Sequence, residues 1–124
     1  REIIRSLKQG YVIGILIDQD TKVDGVFVDF FGRKAHTATG PAVLASKLKC
    51  PMLSVFMHLK KDLTYHIEFS EILGLQNTGN LENDMIANTQ ICSDEYEKVI
   101  RRFPGQWVWM HERWKKQPEQ TTNN

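Results

Sequence analysis

The chain has 124 residues, of which 41% are hydrophobic and 25% are charged, and its formal net charge is +1. This is the composition of one folded domain, and it excludes a disordered chain, a collagen and a repeat fibre. The longest apolar run, Tyr11–Ile17, is far shorter than the roughly 20 residues of a membrane-spanning helix, and no signal peptide is visible. Two cysteines, Cys50 and Cys92, are too few for a disulfide scaffold or a zinc cluster, so we expect two buried thiols in a reducing compartment.

The first predicted elements are a short helix and two strands. Apolar residues recur at helical spacing over Glu2–Gln9, and Gly10 is a typical helix stop. Tyr11–Ile17 is rich in β-branched residues, which is typical of a strand buried on both faces, and the acidic turn 18–20 follows it. Val26–Phe31 is a second short, mostly apolar segment and predicts another strand.

A helix and a β-hairpin are predicted next. Pro41 suits the first turn of a helix that begins at Gly40, because the missing N–H costs nothing there. Pro51–Leu59 predicts another buried strand, and residues 60–62 predict a hairpin turn. Residues 63–69 alternate between apolar and polar side chains, which indicates a half-exposed strand.

The last predicted element is a long helix. Asn80 can cap it, and it runs to about Phe103. Its apolar stripe consists of Met85, Cys92, Tyr96, Val99, Ile100 and Phe103. Glu97 and Arg101 form a favourable pair on its surface. The order of elements predicts an α/β fold with one mixed β-sheet flanked by helices, in which residues 1–116 are part of one domain and residues 117–124 form a polar tail.

Charge is unevenly distributed in the second half of the chain. Residues 63–97 contain acids but neither Lys nor Arg, whereas residues 98–116 are basic and contain three tryptophans. Cations interleaved with indoles suit an anionic membrane interface or single-stranded nucleic acid. The near-neutral total weakens the nucleic-acid hypothesis. The plainer alternative is a solvated helix face followed by a buried aromatic tail.

The acidic turn 18–20 is the first candidate site. In α/β sheets the carboxyl ends of strands face the ligand crevice. Asp18 and Asp20 lie at such an end, where a carboxylate can orient a cation, accept a hydrogen bond from a hydroxyl or hold an arginine. The alternative is that these acids cap backbone N–H groups of a turn.

The segment before the second helix is a candidate anion site. Arg33 and Lys34 supply cations, Thr37 and Thr39 supply hydroxyls, and the predicted helix start at Gly40 supplies free N–H groups. These groups would converge on one phosphate. The alternative is an exposed basic loop with an ordinary helix cap.

No sequence motif indicates a metal site or a catalytic nucleophile. His111 begins a sequence like HExxH, but Lys115 occupies the position of the second ligand. His58 and His66 lie on adjacent predicted strands without a third ligand. No GxSxG motif is present, and neither cysteine has local support as a nucleophile. We therefore expect no metal and no cofactor.

Four sequence blocks, taken in order, resemble one family. They are residues 10–20 (GYVIGILIDQD), 26–32 (VFVDFFG), 37–42 (TATGPA) and 104–114 (PGQWVWMHERW). Their order and spacing are similar to those of the C-terminal half of the lipid A biosynthesis (lauroyl/myristoyl) acyltransferases of Gram-negative bacteria. The one local departure is Gly105, where the family usually has an acid before Gln-Trp. The resemblance covers most of the chain.

The resemblance implies a fold and a reaction. The fold is a glycerolphosphate-acyltransferase type of α/β sandwich, of which this chain would be a part. The reaction moves a fatty acyl group from acyl carrier protein or acyl-CoA to a hydroxyl of a lipid A precursor, with no cofactor and no nucleic acid. The implied location is a membrane surface, the cytoplasmic face of the bacterial inner membrane. The competing hypothesis is a non-catalytic module that binds anionic lipid or nucleic acid through the basic, Trp-rich segment.

The family's base is the histidine of an HxxxxD/E motif that precedes the Asp-Gln block. The histidine takes the proton of the acceptor hydroxyl and the carboxylate fixes its tautomer. Because this chain begins at Arg1 without a methionine, we expect a piece of a longer enzyme that lacks the base and is inactive alone. One match to the motif, from His66 to Glu71, lies on the wrong side of the Asp-Gln block and is rejected.

The resemblance also implies roles for individual residues. Asp18 corresponds to the family's acid beside the active site and is the supporting catalytic residue. The residues implied to bind substrate are Arg33, Thr37, Thr39, Gly40 and Arg113. The C-terminal signature, residues 104–114, is implied to be mainly architectural, with Arg113 and the lysines after it near the membrane.

Overall fold

The computed structural model describes residues 2–20 and 22–118. Its elements, in chain order, are α1 (Glu2–Lys8), β1 (Gly25–Phe30), β2 (Arg33–Ala38), α2 (Gly40–Leu48), β3 (Val55–Leu59), β4 (Tyr65–Phe69), α3 (Leu81–Arg102) and a 3-10 turn (Pro104–Gln106). Within these two ranges the strands form two antiparallel pairs, β1 with β2 and β3 with β4. No helix in the described ranges is both long enough and apolar enough to span a membrane.

The β1–β2 hairpin closes on a tight turn at Phe31 and Gly32. Both residues have positive φ, 52° and 73°, as a two-residue hairpin turn requires. Positive φ is unfavourable for a bulky residue, and two contacts offset this cost. The Phe31 N–H donates to the Glu97 carboxylate at 2.7 Å, and the Arg101 guanidinium lies 4.7 Å from the Phe31 ring.

The core lies between the β1–β2 hairpin and α3. Phe30 is fully buried there with Ala35, Tyr96 and Ile100. The Phe30 ring is 5.4 Å from the Tyr96 ring and 5.5 Å from the rings of Trp107 and Trp114. Such aromatic contacts stabilise beyond the area they bury. Two of the three tryptophans of the C-terminal signature are therefore part of the core.

Two glutamine side chains form hydrogen bonds with the backbone at the edges of the hairpins. The Gln90 amide accepts from the Asp29 N–H at 2.7 Å and donates to the Asp29 carbonyl at 2.9 Å. The Gln106 amide pairs in the same way with Leu59, at 2.7 Å and 2.9 Å. Each side chain occupies backbone groups that an exposed strand edge would otherwise leave open.

The predicted helices are confirmed, with small differences at their ends. Asn80 caps α3 by accepting from the Asn83 N–H at 3.1 Å, and Glu97 pairs with Arg101 at 2.6 Å. Cys92, Tyr96 and Ile100 of the predicted stripe are buried, while Met85, Val99 and Phe103 are half-buried. At α2, Thr39 is the N-cap residue but makes no side-chain capping bond.

The predicted strand over Tyr11–Ile17 is wrong. These residues have no regular secondary structure, and Val12 and Leu16 are 96% and 92% exposed. A strand buried on both faces needs a paired neighbour, and none of the strands in the described ranges pairs with this segment. The α/β class is confirmed, but two small antiparallel sheets stand in place of the one mixed sheet.

The second hairpin also differs from its prediction. Its turn is at the predicted place, but β3 begins at Val55 rather than Pro51. We predicted a buried strand followed by a half-exposed one, whereas the apolar side chains of both strands are largely exposed. The polar tail is described only for Gln117 and Pro118, and the rest of it lies outside the described residues.

Candidate functional site

Asp20, the last residue of the acidic turn, is the centre of a cluster of charged groups. Its carboxylate lies 3.1 Å from His36 Nδ1 and 3.2 Å from Lys116 Nζ. The side chains of Asp20 and His36 are only 8% and 13% exposed. We call Asp20, His36 and Lys116 the Asp20 cluster. It joins the acidic turn to β2 and to the segment that follows the C-terminal signature.

The environment of Asp20 stabilises its ionised form. Burial by itself would raise the pKa of Asp20, but hydrogen bonds and charge interactions with Lys116 and His36 outweigh burial and hold the pKa below its ordinary 3.8. Asp20 is therefore a carboxylate at neutral pH. Of the roles considered for this turn, the structure shows the one in which a carboxylate orients a cation.

Asp18, the predicted supporting acid, has a different environment. It is half-buried two residues before Asp20. Its carboxylate makes no hydrogen bond or ion pair with any residue of ranges 2–20 and 22–118. Among the described residues Asp18 thus has no hydrogen-bond or ion-pair partner, and it lies on a turn that Asp20 anchors. Its catalytic role stays a prediction.

The position of the His36 ring leaves no room for a side chain at residue 25, which is a glycine. A Cβ at Gly25 would lie 2.8 Å from His36 Nε2 and 2.5 Å from the Thr37 carbonyl oxygen. Backbone cannot yield to such an approach without a shift of the hairpin. The ring of Phe27 meets the imidazole edge to face, with centroids 5.6 Å apart. The imidazole is therefore held on three sides, by Gly25, Phe27 and Asp20.

Arg113 is fully buried and contacts β2, the strand that carries His36. Its guanidinium donates to the His36 carbonyl, to Thr37 Oγ1 at 2.5 Å and to the Tyr96 hydroxyl at 3.3 Å. It also lies 5.3 Å from the Phe30 ring. None of the salt bridges in the described ranges involves Arg113, and its Nε has no hydrogen-bond partner there.

The position of Arg113 bears on two expectations. Its guanidinium is enclosed by protein groups, and the expectation that Arg113 lies near a membrane stays a prediction. The architectural role of the C-terminal signature is confirmed by these bonds and by Gln106, Trp107 and Trp114. His111 is half-buried and its Nε2 has no hydrogen-bond partner among the described residues.

The other predicted substrate-binding residues do not converge on one point. Arg33 begins β2, and Thr37 lies four residues later, roughly 13 Å along the strand. Thr37 is fully buried and donates to the Ala35 carbonyl at 3.2 Å, and Thr39 is nearly buried. The expected phosphate site fails because residues 33–38 form a strand instead of a loop. Substrate binding by the individual residues Arg33, Thr37, Thr39, Gly40 and Arg113 stays a prediction.

Five of the six bases in residues 98–116 pair with acids, and within the described ranges Arg113 is the exception. Lys98 pairs with Glu95 at 2.5 Å, Arg102 with Glu68, and Lys115 with Glu112 at 3.0 Å. The hydrogen bond with Glu95 raises the pKa of Lys98. These exposed pairs contribute little stability, but they neutralise much of the segment's positive charge. The arrangement disfavours a module that binds anionic lipid or nucleic acid through this segment.

His58 and His66 of the second hairpin lie side by side, but the described residues provide no third metal ligand near them. His58 and His66 are cross-strand partners with rings 5.0 Å apart, and His58 stacks on Phe103 at 3.9 Å. No group of three or more metal-ligating side chains occurs in the described part of the chain. Across the same ranges no hydrogen bond or ion pair joins His66 to Glu71.

The two cysteines are free thiols. Cys92 is buried in α3, and burial raises its pKa to about 11. Such a thiol is protonated and unreactive at neutral pH. Cys50 is half-buried. The expectation of buried thiols is confirmed for Cys92 and holds only partly for Cys50.

Sequence analysis missed His36 and Lys116 as partners of Asp20. The polar turn at residues 18–20 signalled that an anchored carboxylate was present, but neither partner has a local motif. Both reach Asp20 only through the fold, from β2 and from the end of the signature.

A family model described as bacterial lipid A biosynthesis acyltransferase matches residues 1–116. This range contains all four sequence blocks and every predicted site residue, and it ends at Lys116 of the Asp20 cluster. A search of the curated proteins found no match.

Proposed function

The chain belongs to the bacterial lipid A biosynthesis acyltransferase family, and we propose that it supplies the scaffold and binding groups of an enzyme that acylates a hydroxyl of a lipid A precursor. The acyl donor is acyl carrier protein or acyl-CoA. The observation that carries this proposal is the family match over residues 1–116. It extends from α1 through the complete C-terminal signature.

In this proposal the catalytic base lies on another segment of a longer enzyme. An HxxxxD/E histidine would take the proton of the acceptor hydroxyl as the hydroxyl oxygen attacks the thioester carbonyl. Hydrogen-bond donors would stabilise the oxyanion, and the thiolate would leave as the ester forms. The absence of a His66–Glu71 contact among the described residues supports an external base, as does the packing of the His36 ring against Gly25.

Asp18 is the supporting carboxylate of this reaction chamber. The Asp20 cluster fixes the turn, while the Asp18 carboxylate is not engaged by the described residues. It is thus available to hold a cationic side chain or a substrate hydroxyl. The complete domain would have the glycerolphosphate-acyltransferase type of sandwich.

The proposed location is the cytoplasmic face of the bacterial inner membrane. The support is the exposed tip of the C-terminal signature, Val108-Trp109-Met110. An indole beside two exposed apolar side chains suits the headgroup region of a bilayer.

Substitution of Asp18 in the longer enzyme tests the proposed reaction. We expect Asp18→Asn to lower the rate of acyl transfer by more than about tenfold, a loss of more than about 1.4 kcal/mol of transition-state stabilisation. The matched control is Asp29→Asn, which alters an exposed carboxylate paired with Lys34 and should leave the rate unchanged. Wild-type rates for Asp18→Asn would remove Asp18 from the site.

A further inference from the structure

Asp18 lies between two side chains that attach the acidic turn to the rest of the fold. On one side, Ile17 is half-buried and packs against the core cluster that contains Phe30. On the other side, the Asp20 carboxylate is bound by the other two members of the Asp20 cluster. The position of Asp18 is therefore set by contacts of its neighbours, which is how supporting side chains hold a reactive group in place.

The two partners of Asp20 converge on the same oxygen. His36 Nδ1 lies 3.1 Å and Lys116 Nζ lies 3.2 Å from Asp20 Oδ1, and the two nitrogens are 3.5 Å apart. An ammonium can only donate, so the carboxylate oxygen is the acceptor that both nitrogens share. This geometry assigns a proton to His36 Nδ1.

The two partners contribute different properties to the cluster. The imidazole is held by Gly25 and Phe27, so it donates a hydrogen bond of fixed direction. Lys116 is 43% exposed and its ammonium lies at the end of a flexible side chain, so it contributes mainly charge. Burial opposes the ionisation of Asp20, and the hydrogen bond with Lys116 is the largest of the influences that lower its pKa. The ammonium thus keeps the carboxylate ionised, and the imidazole fixes its orientation.

We propose that Lys116 and His36 are positioning residues for Asp18 in acyl transfer: by binding Asp20 they hold the acidic turn where the Asp18 carboxylate acts. This inference rests on the proposed function and adds to it a role for the segment that follows the C-terminal signature. Neither side chain needs to contact substrate, because each acts through Asp20. A shift of about 1 Å in a supporting group can cost up to about a hundredfold in rate, so a loosened turn has a measurable effect.

Kinetics of the longer enzyme test this proposal. Lys116→Met removes the ammonium and His36→Phe removes the Nδ1 donor, and we expect each to lower the rate of acyl transfer by at least about fivefold. Lys116→Arg keeps the charge and His36→Asn keeps an N–H donor, so both should stay within about twofold of the wild-type rate. The matched control is Lys98→Met, which removes a largely exposed lysine paired with Glu95 on α3 and should leave the rate unchanged.

A double-mutant cycle with Asp18→Asn separates positioning from stability. Because Lys116 acts through Asp18 in this proposal, the variant Asp18→Asn, Lys116→Met should be no more than about twofold slower than Asp18→Asn alone. A general loss of folded enzyme would instead multiply the two losses. Thermal unfolding of each variant checks that it is folded at the assay temperature.

The outcomes distinguish this inference from the proposed function. An active wild-type enzyme whose rate is unaffected by Lys116→Met would overturn the positioning role and leave the proposed function intact. Losses that multiply in the cycle, or a loss from Lys98→Met as large as that from Lys116→Met, would also overturn the positioning role. A wild-type enzyme that transfers no acyl group would overturn the proposed function, and this inference with it.

Discussion

A single arginine determines how the C-terminal signature meets the first hairpin. Arg113 is buried without a carboxylate partner among the described residues, an arrangement whose desolvation cost its hydrogen bonds and the Phe30 ring only partly offset. The role of the buried Arg113 side chain is to position its hydrogen-bond acceptors. Its guanidinium fixes the His36 carbonyl and the Thr37 hydroxyl, and thereby the strand that carries His36 of the Asp20 cluster.

Two substitutions of Arg113 separate the contribution of its hydrogen bonds to stability from the contribution of its packing volume. Arg113→Met fills similar space but leaves acceptors on His36, Thr37 and Tyr96 unpaired, so we expect the free energy of unfolding to fall by about 1–3 kcal/mol. Arg113→Ala should cost more, because it adds a cavity. Arg33→Met, at a position that begins β2 and is largely exposed, should cost less than about 1 kcal/mol. Urea unfolding measures all three, and equal losses for Arg113→Met and Arg33→Met would contradict the buried role.

Asp20 makes the stability of the chain depend on pH. The folded-state pKa of Asp20 lies below its ordinary 3.8, so its contribution is fully present above that value and is lost as the pH falls through the folded-state pKa. We expect the difference in unfolding free energy between wild type and Asp20→Asn to be constant above about pH 5 and to shrink below pH 3.8. Chemical denaturation across this range measures it. A difference that stays constant on acidification would show that Asp20 does not act through its charge.

At the scale of elements, the helices and the hairpin turn could be predicted because their signals are local. Asn80 caps α3, and Pro41 lies in the first turn of α2, so each signal lies at the start of the helix it defines. The strand β2 was missed because its residues, Arg33–Ala38, are mostly polar or small and are placed by Phe30 and Arg113 from elsewhere. The strand predicted over Tyr11–Ile17 failed for the opposite reason, since an apolar run does not reveal whether a neighbouring strand is present to pair with it. The Asp20 cluster brings together three segments that are distant in sequence, so no local pattern could predict that His36 and Lys116 contact Asp20.

The β1–β2 hairpin depends on one small residue. Gly25→Ala would bring a Cβ within 2.5 Å of the Thr37 carbonyl and 2.8 Å of the His36 ring, and we expect a loss of about 1–3 kcal/mol in unfolding free energy. Gly74→Ala is the matched control, because nothing lies within 4 Å of its Cβ. Equal effects of the two substitutions would mean that the close approach at Gly25 is relieved without cost.

At the scale of the whole molecule, the described residues form two hairpins and three α-helices, and Asp20 anchors the acidic turn to them. Three ion pairs join the acidic stretch at residues 63–97 to the basic stretch at residues 98–116. Part of the charge asymmetry in the sequence is therefore neutralised within the chain. The aromatic signature contributes two indoles and an arginine to the core. The central proposal is that this chain positions part of a reaction chamber whose catalytic base lies on another segment.

The most direct test is acyl transfer by the isolated 124-residue chain. The chain is incubated with an acyl thioester of acyl carrier protein and a lipid A precursor, and the ester product is followed by mass spectrometry. The longer enzyme with its HxxxxD/E segment serves as the positive control. We predict product from the longer enzyme and none above the uncatalysed background from the isolated chain. Ester formation by the isolated chain would contradict the account.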